Sequence, residues 1–354
     1  MPTVIDWTPT VDPSEVARQT RDALSAGGAA VLPGDAGYLA LWPAGATLEL
    51  PDAALLVWGP DEAAALGLSV PPAARRLMLR AWPAALIVEV PARTDVAAAG
   101  ANGFARLRFP DHPLFESVVP ALAGLGPVLV ADLGTTTAGA AAARLGERAS
   151  LVVDAGPRPS GAPPTVVRAA PPAACAQGTG SGAEIVRPGA FPAYEIERLA
   201  ARLVLFVCTG NTCRSPMAEV LAKKLLANRL GCAADELPAR GFWVLSAGVA
   251  TYGGGPAAED ARAVVAEFGA DLSGHASRPV NPQLLLAADD VIAMTRGHLH
   301  ALDVRFPGLG PAARLLGGDD DVDDPIGAGL EVYRACAGDI VRHLERILPE
   351  WVTT

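Results

Sequence analysis

The most constraining feature of this chain is a series of short apolar runs bounded by turn residues. AAVLP (29–33), ALLVWG (54–59), ALIVEV (85–90), ARLRF (105–109), PVLVA (127–131) and SLVVDAG (150–156) recur through the first 200 residues, and LVLFVC (203–208), FWVLSAG (242–248) and DDVIAM (289–294) follow. A run that is apolar at successive positions has no face left for water, so it belongs in a strand covered on both sides. Helical spacing fits between the runs at 15–26, 72–81, 113–124, 137–145, 216–230, 257–268 and about 329–347, with Ser14 as a candidate cap for the first. Strand and helix in alternation specify an α/β fold. At 354 residues the chain exceeds one ordinary core, and the alternation restarts at residue 203. Two α/β domains are therefore expected, 1–200 and 201–354. Residues 156–190, rich in Pro, Gly, Ala and Ser, read as long loops around one strand, PTVVR (164–168).

Charge narrows the function classes. The chain has 28 basic and 38 acidic residues, net −10. This excludes a general affinity for nucleic acid or anionic membrane, while leaving room for a local basic pocket. Five scattered cysteines form no disulfide framework, which points to a reducing compartment. The start, MPTVIDWTPT, lacks the pattern of a signal peptide, and no uncharged apolar run reaches the roughly 18–20 residues that span a bilayer. A soluble cytoplasmic protein is expected. His112, His298, His300 and His343 show no metal spacing with the cysteines, so neither metal nor cofactor is expected and these histidines receive no role.

The sharpest local feature is FVCTGNTCRSPMAE (206–219). A buried strand delivers Cys208 to the mouth of a loop in which Gly210 and Asn211 can take backbone angles that turn amide groups inward. Ser215 is placed to cap a helix, with Pro216 at its first position and Glu219 in its first turn. Inward amides and a helix N-terminus make an anion site, and Arg214 can return its planar fork to grip two phosphoryl oxygens. The same positive field favours a Cys208 thiolate, the nucleophilic form.

The segment Cys208-Thr209-Gly210-Asn211-Thr212-Cys213-Arg214-Ser215 resembles the phosphate loop of the low-molecular-weight protein-tyrosine phosphatases. The resemblance continues through Ser246-Ala247-Gly248, Gly269–Pro279 with His275, AADDVIAMTRGH (287–298) and DDPIGAGLEVY (323–333). It implies a four-stranded parallel sheet with the loop at its carboxyl edge. It also implies Cys208 as nucleophile, Arg214 with Thr209, Gly210, Asn211, Thr212, Cys213 and Ser215 as the phosphate-binding loop, and Asp324 as general acid, with Asp323 as fallback. Asn211, Ser215, Ser246 and His275 would hold the loop in shape. Cys213 would form a reversible disulfide with Cys208 or pack the loop. Thr212 resembles the protein-arginine phosphatase branch, where a threonine helps select the phosphoguanidinium group. Against this, Ile326 stands where relatives often carry an aromatic residue. The expected substrate is a phosphotyrosine or phosphoarginine protein, or a small phosphoester. Arsenate reduction ranks lower, because Cys232 and Cys336 are badly placed for a cysteine relay.

In the first half, GGAAVLPGDAGYLAL (27–41), RAWPAALIVEV (80–90), LRFPDHPL (107–114), PTVVR (164–168) and EIVRPGAF (184–191) resemble the threonylcarbamoyl-adenylate synthase (YrdC-like) family. That family uses a lysine–arginine pair and a Ser-x-Asn loop. This half has no lysine and reads VADLGTTT (130–137) where Ser-x-Asn is expected. Arg108, Thr135, Thr136 and Arg187 remain as groups able to touch an anion, with structural arginines as the alternative. A degenerate, inactive synthase-like domain is expected; a bifunctional synthase–phosphatase and an RNA- or ligand-binding adaptor are the competing readings.

Overall fold

The computed structural model describes residues 1–93, 102–169 and 180–352. The chain divides into two compact units, Met1–Gly178 with Gly182–Ala200, and Thr179–Ser181 with Ala201–Thr354.

The first unit is built on one mixed sheet, of ten strands among the described residues. In chain order they are β1 (Thr3–Asp6), β2 (Ala29–Gly34), β3 (Gly37–Pro43), β4 (Ala54–Leu56), β5 (Leu86–Pro91), β6 (Phe104–Arg108), β7 (Val128–Asp132), β8 (Ala149–Asp154), β9 (Thr165–Ala169) and β10 (Ala183–Arg187). Their order across the sheet is β1-β8-β2-β3-β7-β4-β6-β5-β9-β10. The wholly apolar runs lie in its buried middle, where Val31, Leu39, Ile87 and Leu107 lose all contact with water. Helices α1 (Pro13–Ser25) and α4 (Leu114–Ala121) share one core cluster with β2, β3 and β7, while α3 (Pro72–Ala81) and α6 (Ala193–Ala200) share another with β5, β6 and β9; α2 (Pro60–Ala65) and α5 (Ala138–Leu145) complete the set.

Two expectations are corrected here. Asp12, not Ser14, caps α1: its carboxylate accepts from the Ser14 N–H, and Pro13 takes the first helical position. The loop stretch 156–190 contains β10 as well as β9; its residues 170–179 lie outside the described residues.

The second unit has a four-stranded parallel sheet, ordered β12 (Phe242–Gly248), β11 (Arg202–Cys208), β13 (Asp290–Ala293), β14 (Arg314–Leu315). Alternation along β11 explains why its run is apolar throughout. Val204 and Phe206 point into a core shared with α7 (Arg214–Leu230), α8 (Glu259–Glu267) and α11 (Leu330–Val352). Leu203, Leu205 and Val207 point into a second core that includes Leu285 of α9 (Pro282–Ala287) and Leu302 of α10 (Arg296–Arg305). β14 is two residues long, too short to leave a period in the sequence. Among the described residues no helix is long and apolar enough to cross a membrane.

Candidate active site

β11 ends at Cys208, and α7 begins six residues later at Arg214, so the intervening loop presents the sulfur to the positive end of a helix. Asn211 lies in the left-handed region at φ 56°, a conformation that asparagine tolerates better than most side chains. Gly210 has no such angle, so the turn rests on Asn211 alone. Gly248 is required for a different reason. A Cβ there would stand 2.6 Å from the carbonyl oxygen of Thr209, so the end of β12 passes the loop at backbone distance.

Ser215 does not cap the helix; no side chain caps α7 at Cys213. Instead the Ser215 hydroxyl lies 3.0 Å from Cys208 Sγ as donor, and the Asn211 backbone N–H approaches the sulfur at 3.3 Å. Both donors favour negative charge on sulfur. The direction of the Ser215 proton is set by a chain of buried groups. Glu219, which also pairs with Lys223, accepts from the Ser246 hydroxyl at 2.6 Å. Ser246, having spent its proton, accepts from Asn211 Nδ2 at 2.8 Å. The other Nδ2 hydrogen goes to Ser215 Oγ at 3.0 Å, which leaves the Ser215 proton for Cys208 Sγ, with the Ala247 carbonyl at 3.4 Å as the longer alternative. The Asn211 side-chain oxygen accepts from Arg278 N–H at 2.9 Å, and the Asn211 carbonyl lies 2.8 Å from His275 Nε2.

Arg214 faces the loop that carries the acidic cluster. One guanidinium nitrogen reaches Asp324 Oδ2 at 2.5 Å and another the Val322 carbonyl at 3.1 Å. Asp324 Oδ1 accepts from Ile326 N–H at 3.3 Å, as Asp-Pro turns do, and Ile326 itself is exposed. The structure thus joins Cys208, Asn211, Ser215, Ser246 and His275 in one hydrogen-bonded network and pairs Arg214 with Asp324 beside it. Thr209 is exposed at the loop mouth, and Thr212 is partly buried with its hydroxyl 3.7 Å from Cys213 Sγ.

The thiol of Cys213 engages Tyr333 of α11, Sγ to OH 3.1 Å. Burial and the Cys213 partner push the Tyr333 hydroxyl pKa above its ordinary value, and burial pushes the Cys336 thiol up to about 12. Tyr333 escaped sequence reasoning, because no local signal links it to a loop 120 residues away. His298 was also missed. Buried beside the loop, its Nε2 lies 2.9 Å from Thr209 Oγ1, and burial with the nearby Arg214 charge lowers its pKa to about 4. The signal present was a Thr-x-x-His start of a helix after a buried strand, with Thr295 as cap. Among the described residues no group of His, Cys, Asp and Glu is arranged to hold a metal ion.

In the first unit, Arg108, Thr135, Thr136 and Arg187 line one cavity of ≈230 Å³ with Asp35, Asp52 and Asp132. Arg108 is clamped by Asp132 at 2.6 Å and Asp35 at 2.7 Å, and Arg187 is paired with Asp52.

Comparison with known proteins bears on the second unit. The family model "Low molecular weight phosphotyrosine protein phosphatase" matches residues 203–353. A protein-arginine-phosphatase of Geobacillus stearothermophilus is 38% identical over 149 residues, 41% of this chain and 92% of that protein. The Bacillus subtilis protein of the same name is 34% identical over 149 residues, 41% of this chain and 93% of that protein. A low molecular weight protein-tyrosine-phosphatase of Streptomyces coelicolor is 36% identical over 145 residues, 38% of this chain and 83% of that protein. Through residues 203–353 the chain belongs to the low molecular weight phosphotyrosine protein phosphatase family, and it is a phosphatase.

Proposed function

We propose that this protein is a cysteine-dependent protein phosphatase acting on phosphoarginine side chains through a phosphocysteine intermediate. Cys208 attacks phosphorus in line, and Arg214 with the loop amides holds the equatorial oxygens. An incoming phosphoryl group takes over the guanidinium edge that Asp324 occupies, which leaves the Asp324 carboxyl for the leaving-group atom. Asp324 protonates that atom, and in the second half it activates the water that cleaves the S–P bond and releases phosphate. The observation that carries this reading is the directed chain Glu219–Ser246–Asn211–Ser215, which aims a proton at Cys208 Sγ while Arg214 stands ready across the loop.

The preference for phosphoarginine is supported by Thr212, whose hydroxyl suits a polar head group. Two relatives named protein-arginine-phosphatase point the same way. The test is turnover of phosphoarginine and phosphotyrosine peptides of matched sequence by the intact chain. Phosphoarginine should be favoured at least about tenfold in kcat/KM, and Thr212→Val should narrow that ratio. A phosphotyrosine preference unmoved by Thr212→Val overturns the substrate assignment; turnover surviving in Cys208→Ser overturns the mechanism.

For residues 1–200 we propose a degenerate synthase-like domain without activity of its own. The internal pairing of Arg108 with Asp35 and Asp132, and of Arg187 with Asp52, supports this, since both arginines are engaged within the domain. Incubation with threonine, bicarbonate and ATP should yield no threonylcarbamoyl-AMP; product formation refutes the reading.

A further inference from the structure

Helix α10 starts directly after β13, and its first turn touches two loops that are far apart in sequence. On one side His298 Nε2 lies 2.9 Å from Thr209 Oγ1, on the residue after Cys208. On the other, the Arg296 backbone N–H donates to Asp321 Oδ1 at 2.9 Å, and the Arg296 guanidinium bonds the Asp319 carbonyl. Residues 319–321 run straight into the segment holding Asp324. Val322 N–H donates to the carbonyl of Met294, just before the α10 cap, at 2.8 Å.

Thr295 Oγ1 accepts from the His298 backbone N–H as helix cap and lies 2.8 Å from His298 Nδ1, so the two ring nitrogens are held between Thr295 and Thr209. The charged groups around the ring are Arg214 from α7 and Asp321 and Asp324 from the acidic loop.

We propose that the first turn of α10 is a strut that holds the nucleophile loop, through His298, and the acid-bearing loop, through Arg296, at one spacing. His298 and Arg296 are positioning residues, and neither is required to touch substrate. The proposal rests on Cys208 as nucleophile and Asp324 as acid, as given above.

The intact chain is assayed with p-nitrophenyl phosphate, whose leaving group needs little protonation, and with phenyl phosphate, which needs more. His298→Ala should lower kcat about tenfold on both substrates with KM within about twofold, and His298→Gln, which keeps an N–H donor, should recover most of the loss. Asp321→Ala, an exposed change on the other arm, should lower kcat for phenyl phosphate more than for p-nitrophenyl phosphate. The double variant should lose less than the product of the single losses, as expected for two grips on one strut. Undiminished kcat in Asp321→Ala, equal losses in His298→Ala and His298→Gln, or fully multiplicative losses in the double variant each overturn the proposal. Asp321→Ala keeps the test decisive if His298→Ala fails to fold. Activity in Cys208→Ser would instead remove the underlying mechanism, a different result from a failed strut.

Discussion

Arg108, the last residue of β6 in the first unit, and Arg214, the first residue of α7 in the second, are both buried arginines paired with aspartate. Arg108, 1% exposed, is held by two carboxylates, Asp35 at 8% and Asp132 at 31%. Arg214, 7% exposed, meets one carboxylate, Asp324, that is itself 45% exposed, and otherwise a carbonyl. Two carboxylates facing one guanidinium make an ion group in which both terminal nitrogens of Arg108 are already paired, while its Nε has no partner. One partner open to solvent makes a contact that water and solutes can reach, which is what the proposed exchange of Asp324 for a phosphoryl group requires. The residue type and its burial are alike, and the number and accessibility of the partners separate the two sites.

Several measurements can break or sharpen that contrast. Substituting each arginine by alanine should give opposite results. Arg214→Ala should lower kcat by about 10³ with little change in stability. Arg108→Ala should leave the phosphatase rate intact and cost about 3 kcal/mol or more in urea unfolding, because the shielded Asp35 and the partly exposed Asp132 lose their counter-charge. Equal effects on rate from both substitutions would erase the distinction. Next, Asp324→Asn should lower kcat about 10²-fold on phenyl phosphate and much less on p-nitrophenyl phosphate, which follows if the partner of Arg214 is free to leave it and serve as acid. Glu219→Gln should lower kcat about tenfold, since the chain that aims the Ser215 proton at Cys208 loses its anionic end. An unchanged rate would show that the chain does not set the state of the sulfur.

The smallest expected effect concerns pH. His112 in the first unit and His298 in the second both have pKa values lowered to about 4, chiefly by burial, with Arg158 and Arg214 respectively adding to it. Their unfolded values are near 6.5, so between pH 6.5 and 4 the unfolded chain binds more protons than the folded one. Stability from these groups is therefore complete above about pH 6.5 and lost as pH falls towards 4. His298→Asn should flatten the decline of melting temperature across that window, with the His112 contribution remaining; an unaltered slope contradicts the assignment.

Much of this was legible beforehand because its determinants are local. LVLFVC at 203–208 required a strand buried on both faces, and β11 is one. The helix after Cys208 followed from Pro216 and its apolar spacing. The role of Ser215 was misjudged because capping is the default for serine at a helix start, and the sequence could not show a sulfur 3.0 Å away. Gly210 was credited with a left-handed angle that Asn211 alone adopts. Tyr333 and the link from Glu219 to Ser246 were invisible for a common reason: each joins the loop region to a residue distant in sequence through a side chain whose local surroundings are ordinary.

By itself the sequence determined the α/β alternation, the position of a phosphate loop and the chemical types available in it. These depend on periodicity, turn residues and spacing over about ten positions, which short-range sterics and burial enforce. Only the tertiary structure decided which arginine is locked by carboxylates and which is open, and which hydroxyl points its proton at Cys208. Those outcomes depend on partners brought together across tens of residues, such as Arg214 with Asp324 and Ser246 with Asn211. A hydrogen bond or ion pair is specified by distance and direction in space, and neither is written in the order of residues along the chain.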